Sequence, residues 1–156
     1  MKIKFKPLSE FAYLPKKGTE GAAAYDVYVP QSTFVKTGRQ IIPLDFAIEL
    51  PYGYEAKIEP RSGFSSKGME GKCLLGTFED NPTRRFDCDL LHGKIDSDYR
   101  GNVGAIVHNR DCEFLIERGS RIAQLTIYKV EDAEFEVVEE LTKTDRGHGG
   151  FGSTNR

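Results

Sequence analysis

Two aspartates lie two residues apart in the segment Gly93-Lys94-Ile95-Asp96-Ser97-Asp98-Tyr99-Arg100-Gly101, next to a tyrosine and an arginine. A carboxylate within hydrogen-bond reach of a water can take its proton as the water attacks phosphorus. On a strand Asp96 and Asp98 would share one face, whereas in a turn they need not. General-base chemistry is therefore one interpretation of the pair, and a solvated acidic pair in an Asx-type turn is the other.

The C-terminal segment joins an arginine, glycines, an aromatic ring and two hydroxyls in Arg146-Gly147-His148-Gly149-Gly150-Phe151-Gly152-Ser153-Thr154. Glycine lets successive backbone N–H groups converge on an anion, and Arg146 offers a planar fork for phosphate oxygens. Phe151 has no apolar neighbours with which to form a core, and its ring could stack on a nucleobase. The segment indicates either a phosphate-binding arm or a disordered tail.

Three shorter motifs are weaker on their own. Pro60-Arg61-Ser62-Gly63 puts a cation, a hydroxyl and a glycine at a turn, a phosphate-binding pattern that also arises often by chance. Arg121-Ile122-Ala123-Gln124-Leu125 alternates as a strand, with Gln124 available as a neutral hydrogen-bonding group. Ala22-Ala23-Ala24-Tyr25-Asp26-Val27 offers small residues beside one acid, and Asp26 alone proves nothing.

Alternation of apolar and polar residues at period two recurs along the chain and predicts short strands. The runs are 2–5, 41–50, 54–58, 103–107, 122–130 and 135–141. Glycine and proline separate them at the spacing of an antiparallel sandwich or barrel. We predict an all-β fold with at most one short helix, after Gly63, where a polar stretch gives a cap-like start.

The chain of 156 residues is about the size of one domain, and we expect a single β domain over 1–141. From about 76 to 91 the sequence is polar and mixed in charge, which indicates an inserted exposed loop or hairpin extension. Residues 142–156 are rich in glycine and poor in apolar side chains, which predicts a flexible arm.

The bulk composition excludes several classes of partner. A formal net charge of −2 gives no field that would attract a nucleic-acid backbone. No window approaches the roughly 18 apolar residues that span a bilayer, and the N-terminus lacks the apolar core of a signal peptide. We therefore expect a cytoplasmic protein with no nucleic-acid or membrane partner. Cys73, Cys88 and Cys112 lack close metal-ligand spacing, which predicts free thiols.

Taken together and in this order, the five motifs resemble those of the trimeric dUTP diphosphatases, the dUTPases. The likeness extends from about Ala22 to Thr154. It implies a distorted jelly-roll, β-barrel-like protomer with a flexible Gly-rich arm, and a homotrimer whose active sites are shared between subunits. The implied activity is hydrolysis of dUTP to dUMP and pyrophosphate, which limits uracil incorporation into DNA and supplies dUMP for dTMP synthesis.

The resemblance also implies a role for each motif. Asp96 would deprotonate the water that attacks the α-phosphorus, and Tyr99 would stack on the deoxyribose and exclude a 2′-hydroxyl. Main-chain groups of a hairpin that runs from Gly93 through Ile95 to Gly104 would bind the uracil. Cytosine would be rejected because its exocyclic amine puts a donor where the site already supplies one.

The implied phosphate site draws on the other four motifs. One Mg²⁺ would be bound mainly by the triphosphate, with Asp26 contacting its water shell. The residues implied to bind phosphate or to place the water and the α-phosphate are Arg61, Ser62, Gly63 and Gln124. The arm residues implied to cap the substrate are Arg146, Gly152, Ser153 and Thr154 at the phosphates, with Phe151 over the uracil.

The match departs from the family pattern in places. Ala24 and Asn155 replace glycines that are common in the family, and both changes are small. The stretch 76–91 is a larger departure, which could modify base specificity, contact a partner or only decorate the surface. Two alternatives stay open: a diphosphatase or deaminase of the same fold acting on another deoxynucleotide such as dCTP, and a nonenzymatic nucleotide-sensing regulator. A deaminase would need a dedicated acidic residue at the base, and no segment matches that motif. The intact Asp96 and the complete arm argue against a nonenzymatic regulator.

Overall fold

The computed structural model describes residues 1–73 and 82–149, and these residues fold almost wholly as antiparallel strands. The one helix among them, α1, is Ser62–Lys67. The strands are β1 Lys4–Pro7, β2 Tyr25–Tyr28, β3 Thr33–Val35, β4 Gly38–Pro43, β5 Phe46–Glu49, β6 Tyr54–Glu59, β7 Met69–Cys73, β8 Thr83–Phe86, β9 Cys88–Leu91, β10 Gly93–Ile95, β11 Gly104–Asn109, β12 Phe114–Ile116 and β13 Arg121–Lys129. The all-β prediction is confirmed, and the one short helix is found, although it begins at Ser62 and not after Gly63.

One sheet, with strand order β10-β6-β13-β2, carries most of the predicted site. The other sheets have the orders β1-β5, β4-β11-β9 and β3-β12-β7-β8. Neighbouring strands in the first sheet are far apart in sequence, since β13 pairs with β2 on one side and with β6 on the other. Long-range pairing is therefore what brings the separate motifs together.

The core is apolar and is formed by alternate residues of each strand. In β11, for example, Ala105 and Val107 are fully buried while Ile106 and His108 are partly exposed. The rings of Phe86 and Phe114 stack with their centroids 4.0 Å apart. Full burial of one such side chain is worth about 1.5–3 kcal/mol, so this pair fixes β8 firmly against β12.

Four of the predicted strands, 2–5, 54–58, 103–107 and 122–130, are found with boundaries shifted by a residue or two. The run 41–50 is instead divided into β4 and β5. The division falls at Asp45, whose φ of 56° is in the left-handed region that aspartate tolerates better than most residues. A local backbone reversal, which period-two alternation does not reveal, therefore ends β4.

The predicted strand 135–141 is absent from the described single chain. Phe135 and Val137 are 93% and 99% exposed, and the segment has no strand assignment. A strand requires a hydrogen-bonding neighbour, and no described strand pairs with this segment. The prediction is wrong for the isolated chain.

Half of the stretch 76–91 belongs to the sheets. Residues 82–91 include β8, which pairs with β7, and β9, which pairs with β11. Phe86, Cys88 and Leu90 are buried, so the exposed-loop alternative is wrong here and the hairpin alternative is the better description of β7 and β8. Residues 76–81 lie outside the described part of the chain.

The three cysteines are free, as predicted, and Cys73 and Cys88 are buried. Burial raises the pKa of the Cys88 thiol to about 12, which keeps it protonated at neutral pH and unsuited to nucleophilic attack. No helix in the residues that the structure describes is long and apolar enough to cross a membrane.

Candidate active site

Asp96 follows the last residue of β10 and is exposed to solvent. It lines a cavity of about 210 Å³ together with Tyr52, Glu55, Lys94 and Asp132. The buried side chain of Ile95 holds the end of β10 in the core, so the next residue must point its carboxylate outward. The cavity can therefore admit water and a polar ligand to Asp96.

The turn after Asp96 is folded back on itself. The Tyr99 backbone N–H donates to the Asp96 carbonyl at 3.1 Å, and the Tyr99 hydroxyl donates to the carbonyl of Asn102 at 3.0 Å. A Cβ at position 101 would overlap the Tyr99 ring, so Gly101 is needed for this close approach. The guanidinium of Arg100 donates to the Ser97 carbonyl at 2.7 Å. The two predicted residues Asp96 and Tyr99 thus share one ordered turn.

A buried carboxylate lies beside Asp96. Glu55 accepts from the Lys94 ammonium at 2.5 Å and from that of Lys57 at 3.2 Å. The hydrogen bond from Lys94 lowers the pKa of the Glu55 carboxyl, and the same contact raises the pKa of Lys94. Both groups therefore stay charged at neutral pH, and Lys94 places a cation next to Asp96.

The predicted base-binding hairpin links two sheets. Gly93 begins β10 and pairs with Ile58 of β6, while Gly104 begins β11 and pairs with Pro43 of β4. Gly104 packs so closely on the side chain of Ile41 that a Cβ would overlap it. The stretch 93–104 is thus anchored at both ends by backbone pairing, but β10 and β11 belong to different sheets and do not pair with each other, so it is not the predicted β-hairpin.

A second group of predicted residues surrounds Asp26. The Arg61 Nε lies 2.9 Å from one carboxylate oxygen of Asp26, and an Arg121 guanidinium nitrogen lies 3.4 Å from the other. Gln124 is the direct cross-strand neighbour of Asp26 in the β13–β2 pair. The motifs that contain Asp26, Arg61 and Gln124 therefore meet at this sheet.

The helix α1 presents Ser62 and Gly63 to solvent. Phe64, which is buried, anchors the helix, and the backbone N–H groups of Phe64 and Ser65 both donate to the Arg61 carbonyl at 2.9 Å. Among the described residues, apart from the chain neighbours of Gly63 and the backbone of α1 itself, no atom lies within 4 Å of where a Cβ on Gly63 would be. The hydroxyl of Ser62 and the backbone around Gly63 are therefore accessible to an anion beside Arg61.

One chain does not bring Asp96 and Gln124 together. Asp96 follows the pair Ile95–Ala56 and so lies opposite Glu55, whereas Gln124 lies opposite Glu59. The four residue steps from Glu55 to Glu59 span roughly 13 Å along β6, and β10 and β13 lie on opposite sides of β6, about 10 Å apart. The predicted residues therefore form two separate groups in the protomer.

The described part of the arm ends in a compact turn. Arg146 donates through Nε to the Gly149 carbonyl at 2.8 Å, and the Gly147 N–H donates to the Thr144 carbonyl at 3.0 Å. Phe151, Gly152, Ser153 and Thr154 lie outside the described residues. Of the arm residues predicted to bind substrate, only Arg146 lies in the described part of the chain, and its side chain is exposed.

Metal-binding capacity is small over residues 1–73 and 82–149. No group of three or more His, Cys, Asp or Glu side chains there could hold an ion. Asp26 supplies a single carboxylate, which is already paired with two arginines. This donor set fits an ion such as Mg²⁺ only if the ion keeps most of its waters or phosphate ligands.

Glu55 and Lys94 line the cavity at Asp96 but are not among the site residues predicted from the sequence. Glu55, Lys57 and Glu59 alternate along β6 with the buried Ala56 and Ile58, so period two could have placed the three charges on one face. The pairing of Glu55 with Lys94 depends on the register of β10 against β6, and that register is not visible in the sequence.

The chain is similar to known proteins along most of its length. The family model described as dUTPase matches residues 11–77 and 88–155, leaving out 78–87. The deoxyuridine 5'-triphosphate nucleotidohydrolase of Nautilia profundicola is 39% identical over 158 aligned positions, covering all of both chains.

Two solved structures are similar in fold. A point mutant of the Staphylococcus bacteriophage 80alpha dUTPase with dUpNHpp has a TM-score of 0.82, with 25% identity and 99% of each chain covered. A mutant of the phage phi11 dUTPase of S. aureus, which coordinates a structural Mg(II) ion, has a TM-score of 0.73 at 23% identity, covering 90% of this chain and 98% of that one.

Proposed function

The chain belongs to the dUTPase family and is a hydrolase of dUTP, and we propose that Asp96 is the general base of the reaction. Asp96 would take a proton from the water that attacks the α-phosphorus, and dUMP and pyrophosphate would leave. The observation that carries this assignment is the exposed carboxylate of Asp96 in a charged cavity, at the end of a strand fixed by buried Ile95.

We propose that residues 93–104, which run from β10 to the start of β11, recognise the nucleoside. Their backbone between Gly93 and Gly104, including Ile95, would bind the uracil edge, because main-chain groups fixed at both ends discriminate well between donors and acceptors. The Tyr99 ring would pack on the deoxyribose and leave no space for a 2′-hydroxyl. The folded-back turn, with Tyr99 bound to Asn102, supports a rigid ring at this position.

The triphosphate would bind at the second group. Ser62 and Gly63 would donate to phosphate oxygens at the accessible start of α1, with Arg61 as a nearby cation and Gln124 helping to place the α-phosphate or the water. A magnesium ion would be held mainly by the phosphates, with Asp26 bonded to its water shell; when bound, it would neutralise phosphate charge. The open space at Gly63 supports this role.

The arm would close the site, with Arg146, Gly152, Ser153 and Thr154 on the phosphates and Phe151 over the base. We propose that residues 142–156 form this arm. In the isolated chain the last strand, β13, ends at Lys129, so the exposed residues 131–141 join the β domain to the arm. Closure would exclude water other than the nucleophile. The cytoplasmic location stays a prediction.

We infer that the active enzyme is a homotrimer with shared sites. Two observations support it. The first is the separation of the Asp96 and Gln124 groups in one chain. The second is the alternation of the exposed Phe135 and Val137 with acidic residues, which suits an edge strand of another subunit. Among the described strands β1 pairs only with β5, and its exposed Lys4 and Lys6 would provide charges opposite to the acidic residues of the added strand.

Subunit mixing tests this sharing. Asp96→Asn trimers and trimers truncated after Asp145 should each be nearly inactive, but exchange of their subunits at equal ratio should restore activity in about a quarter of the sites. Each site would take its aspartate from one subunit and its arm from another. At equal ratio each of these two subunits has a probability of about one half of supplying an intact group, which gives about a quarter. Steady-state turnover measures the recovery. Absence of recovery, after native mass spectrometry has verified exchange, would show that each chain supplies both parts of its own site.

A substrate panel tests the specificity. Purified protein with Mg²⁺ should release pyrophosphate from dUTP, and turnover of dCTP, dTTP and UTP should be lower by at least about two orders of magnitude, as expected for a site built on complementary hydrogen bonds. Pyrophosphate and ammonia are both assayed. Ammonia from dCTP, or comparable turnover of dCTP and dUTP, would contradict the uracil-specific assignment.

A further inference from the structure

The residues that the family model leaves out, 78–87, include strand β8, and this strand contacts the end of helix α1. The guanidinium of Arg85 donates to the Gly68 carbonyl at 3.0 Å and to a Glu70 carboxylate oxygen at 2.9 Å. Gly68 is the C-cap residue of α1, and Glu70 lies just beyond it in β7. One side chain of the inserted strand thus spans the junction between α1 and β7.

The backbone of β8 also touches the same junction. A Cβ on Gly68 would overlap the carbonyl oxygen of Phe86, and Gly68 has a φ of 78°, which favours glycine. Phe86 is buried and stacked on Phe114. Because the core fixes Phe86, β8 is a rigid support on which the C-terminal end of α1 rests.

The same arginine lies beside the predicted phosphate site. Arg85 lines a cleft of about 510 Å³ whose other walls include Arg61, Gly63, Glu70 and Arg121. Arg61 and Gly63 belong to the motif at the start of α1, and Arg121 is the second partner of Asp26. The inserted strand therefore reaches α1 on the side that faces the phosphate-binding group.

We propose that Arg85 is a positioning residue for the triphosphate: by anchoring the C-terminal end of α1, it fixes Ser62 and Gly63 for phosphate binding. This rests on the phosphate role proposed above for Ser62 and Gly63. A helix of six residues has little stability of its own, so its position depends on tertiary contacts. A guanidinium on the carbonyl at the helix end is both a charge-assisted hydrogen bond and a favourable partner for the helix dipole.

Arg84 provides a matched control on the same strand. It is as exposed as Arg85 and also makes an ion pair, but its partners are Asp111 at 3.3 Å, the Cys112 sulfur at 3.1 Å and the ring of Phe86, whose centroid is 4.3 Å from its guanidinium carbon; none of these belongs to α1. Arg84→Ala and Arg85→Ala therefore each remove one surface ion pair of β8, and only the second removes a contact with α1.

The experiment measures the Kd of two ligands by calorimetry or NMR titration, with Tm as a check of folding. The ligands are dUpNHpp with Mg²⁺, which carries the full phosphate chain, and deoxyuridine, which carries none. Arg85→Ala should weaken dUpNHpp binding about tenfold, the effect of one lost charge-assisted hydrogen bond, and leave the deoxyuridine Kd within about twofold. Arg84→Ala should change neither Kd, and Arg85→Lys should recover part of the loss through its single donor to Gly68.

Ser62→Ala, measured in parallel, separates this proposal from the function on which it rests. If Ser62→Ala weakens dUpNHpp binding and Arg85→Ala does not, the role of Arg85 is overturned and the phosphate site stands. If Ser62→Ala has no effect, the phosphate role of α1 is wrong and the proposal falls with it. An equal loss of affinity for both ligands in Arg85→Ala would also overturn it, because that is the result of general loosening of the fold.

Discussion

Asp96→Asn should reduce kcat for dUTP by about three orders of magnitude and leave dUTP binding within about twofold of wild type. Asparagine matches aspartate in shape, so the cavity and its hydrogen bonds to substrate survive, but a neutral amide cannot accept a proton from water. General-base contributions of this kind are about 10²–10⁴-fold. Rapid-quench kinetics gives the rate of the chemical step, and the Kd for dUpNHpp gives the binding.

Asp98→Asn is the control for this prediction. Asp98 is two residues away in the same turn and is also exposed, so the variant carries the same change in net charge. Its kcat should stay within a few-fold of wild type. If Asp96→Asn turned over dUTP at the wild-type rate, or if Asp98→Asn were the inactive variant, the assignment of the base would be wrong.

Truncation after Asp145 should lower kcat/KM for dUTP by about two to three orders of magnitude while the protein remains folded and assembled. The deleted residues supply Arg146, the two hydroxyls of Ser153 and Thr154 and the ring of Phe151, all proposed to act on bound substrate. Loss of one preorganised donor at a reacting oxyanion costs about 10²–10³-fold in known enzymes. Steady-state kinetics measures the loss, and light scattering with a thermal melt checks assembly and folding.

The matched control is a chain that ends at Thr154. It lacks only Asn155 and Arg156, which lie beyond the last proposed phosphate contact, and it should retain near wild-type kinetics. Full activity of the chain truncated after Asp145 would show that the C-terminal segment is a dispensable tail. Loss of activity together with loss of assembly would assign the segment a structural role instead.

The sequence pattern predicted the strands whose two faces have clearly different environments. β6, β11 and β13 alternate between core and solvent, and period two finds them. The alternation of Phe86, Cys88 and Leu90 was equally regular, but the surrounding charges of β8 and Asp87 concealed it. In β8 only Phe86 is buried, and the charged Arg84 and Arg85 before it are exposed although they belong to a sheet, so mixed charge alone does not identify a loop.

The sequence predicts the parts of the candidate site that are formed by local motifs, but not the contacts between distant segments. Asp96, Tyr99 and the residues of α1 are close in sequence to the elements that orient them, and their motifs were found directly. The Lys94–Glu55 and Arg85–Gly68 contacts join segments 39 and 17 residues apart. Contacts of this kind follow from strand register, which sequence periodicity does not specify.

The distance between the Asp96 and Gln124 groups has a thermodynamic consequence. If each substrate is bound by groups from more than one chain, then substrate binding and assembly are linked equilibria. The factor by which bound dUTP increases the affinity between subunits must equal the factor by which assembly increases the affinity for dUTP. Dilution would then lower the activity per chain, because it favours separate subunits with incomplete sites. Bound nucleotide would oppose this effect by stabilising the assembly.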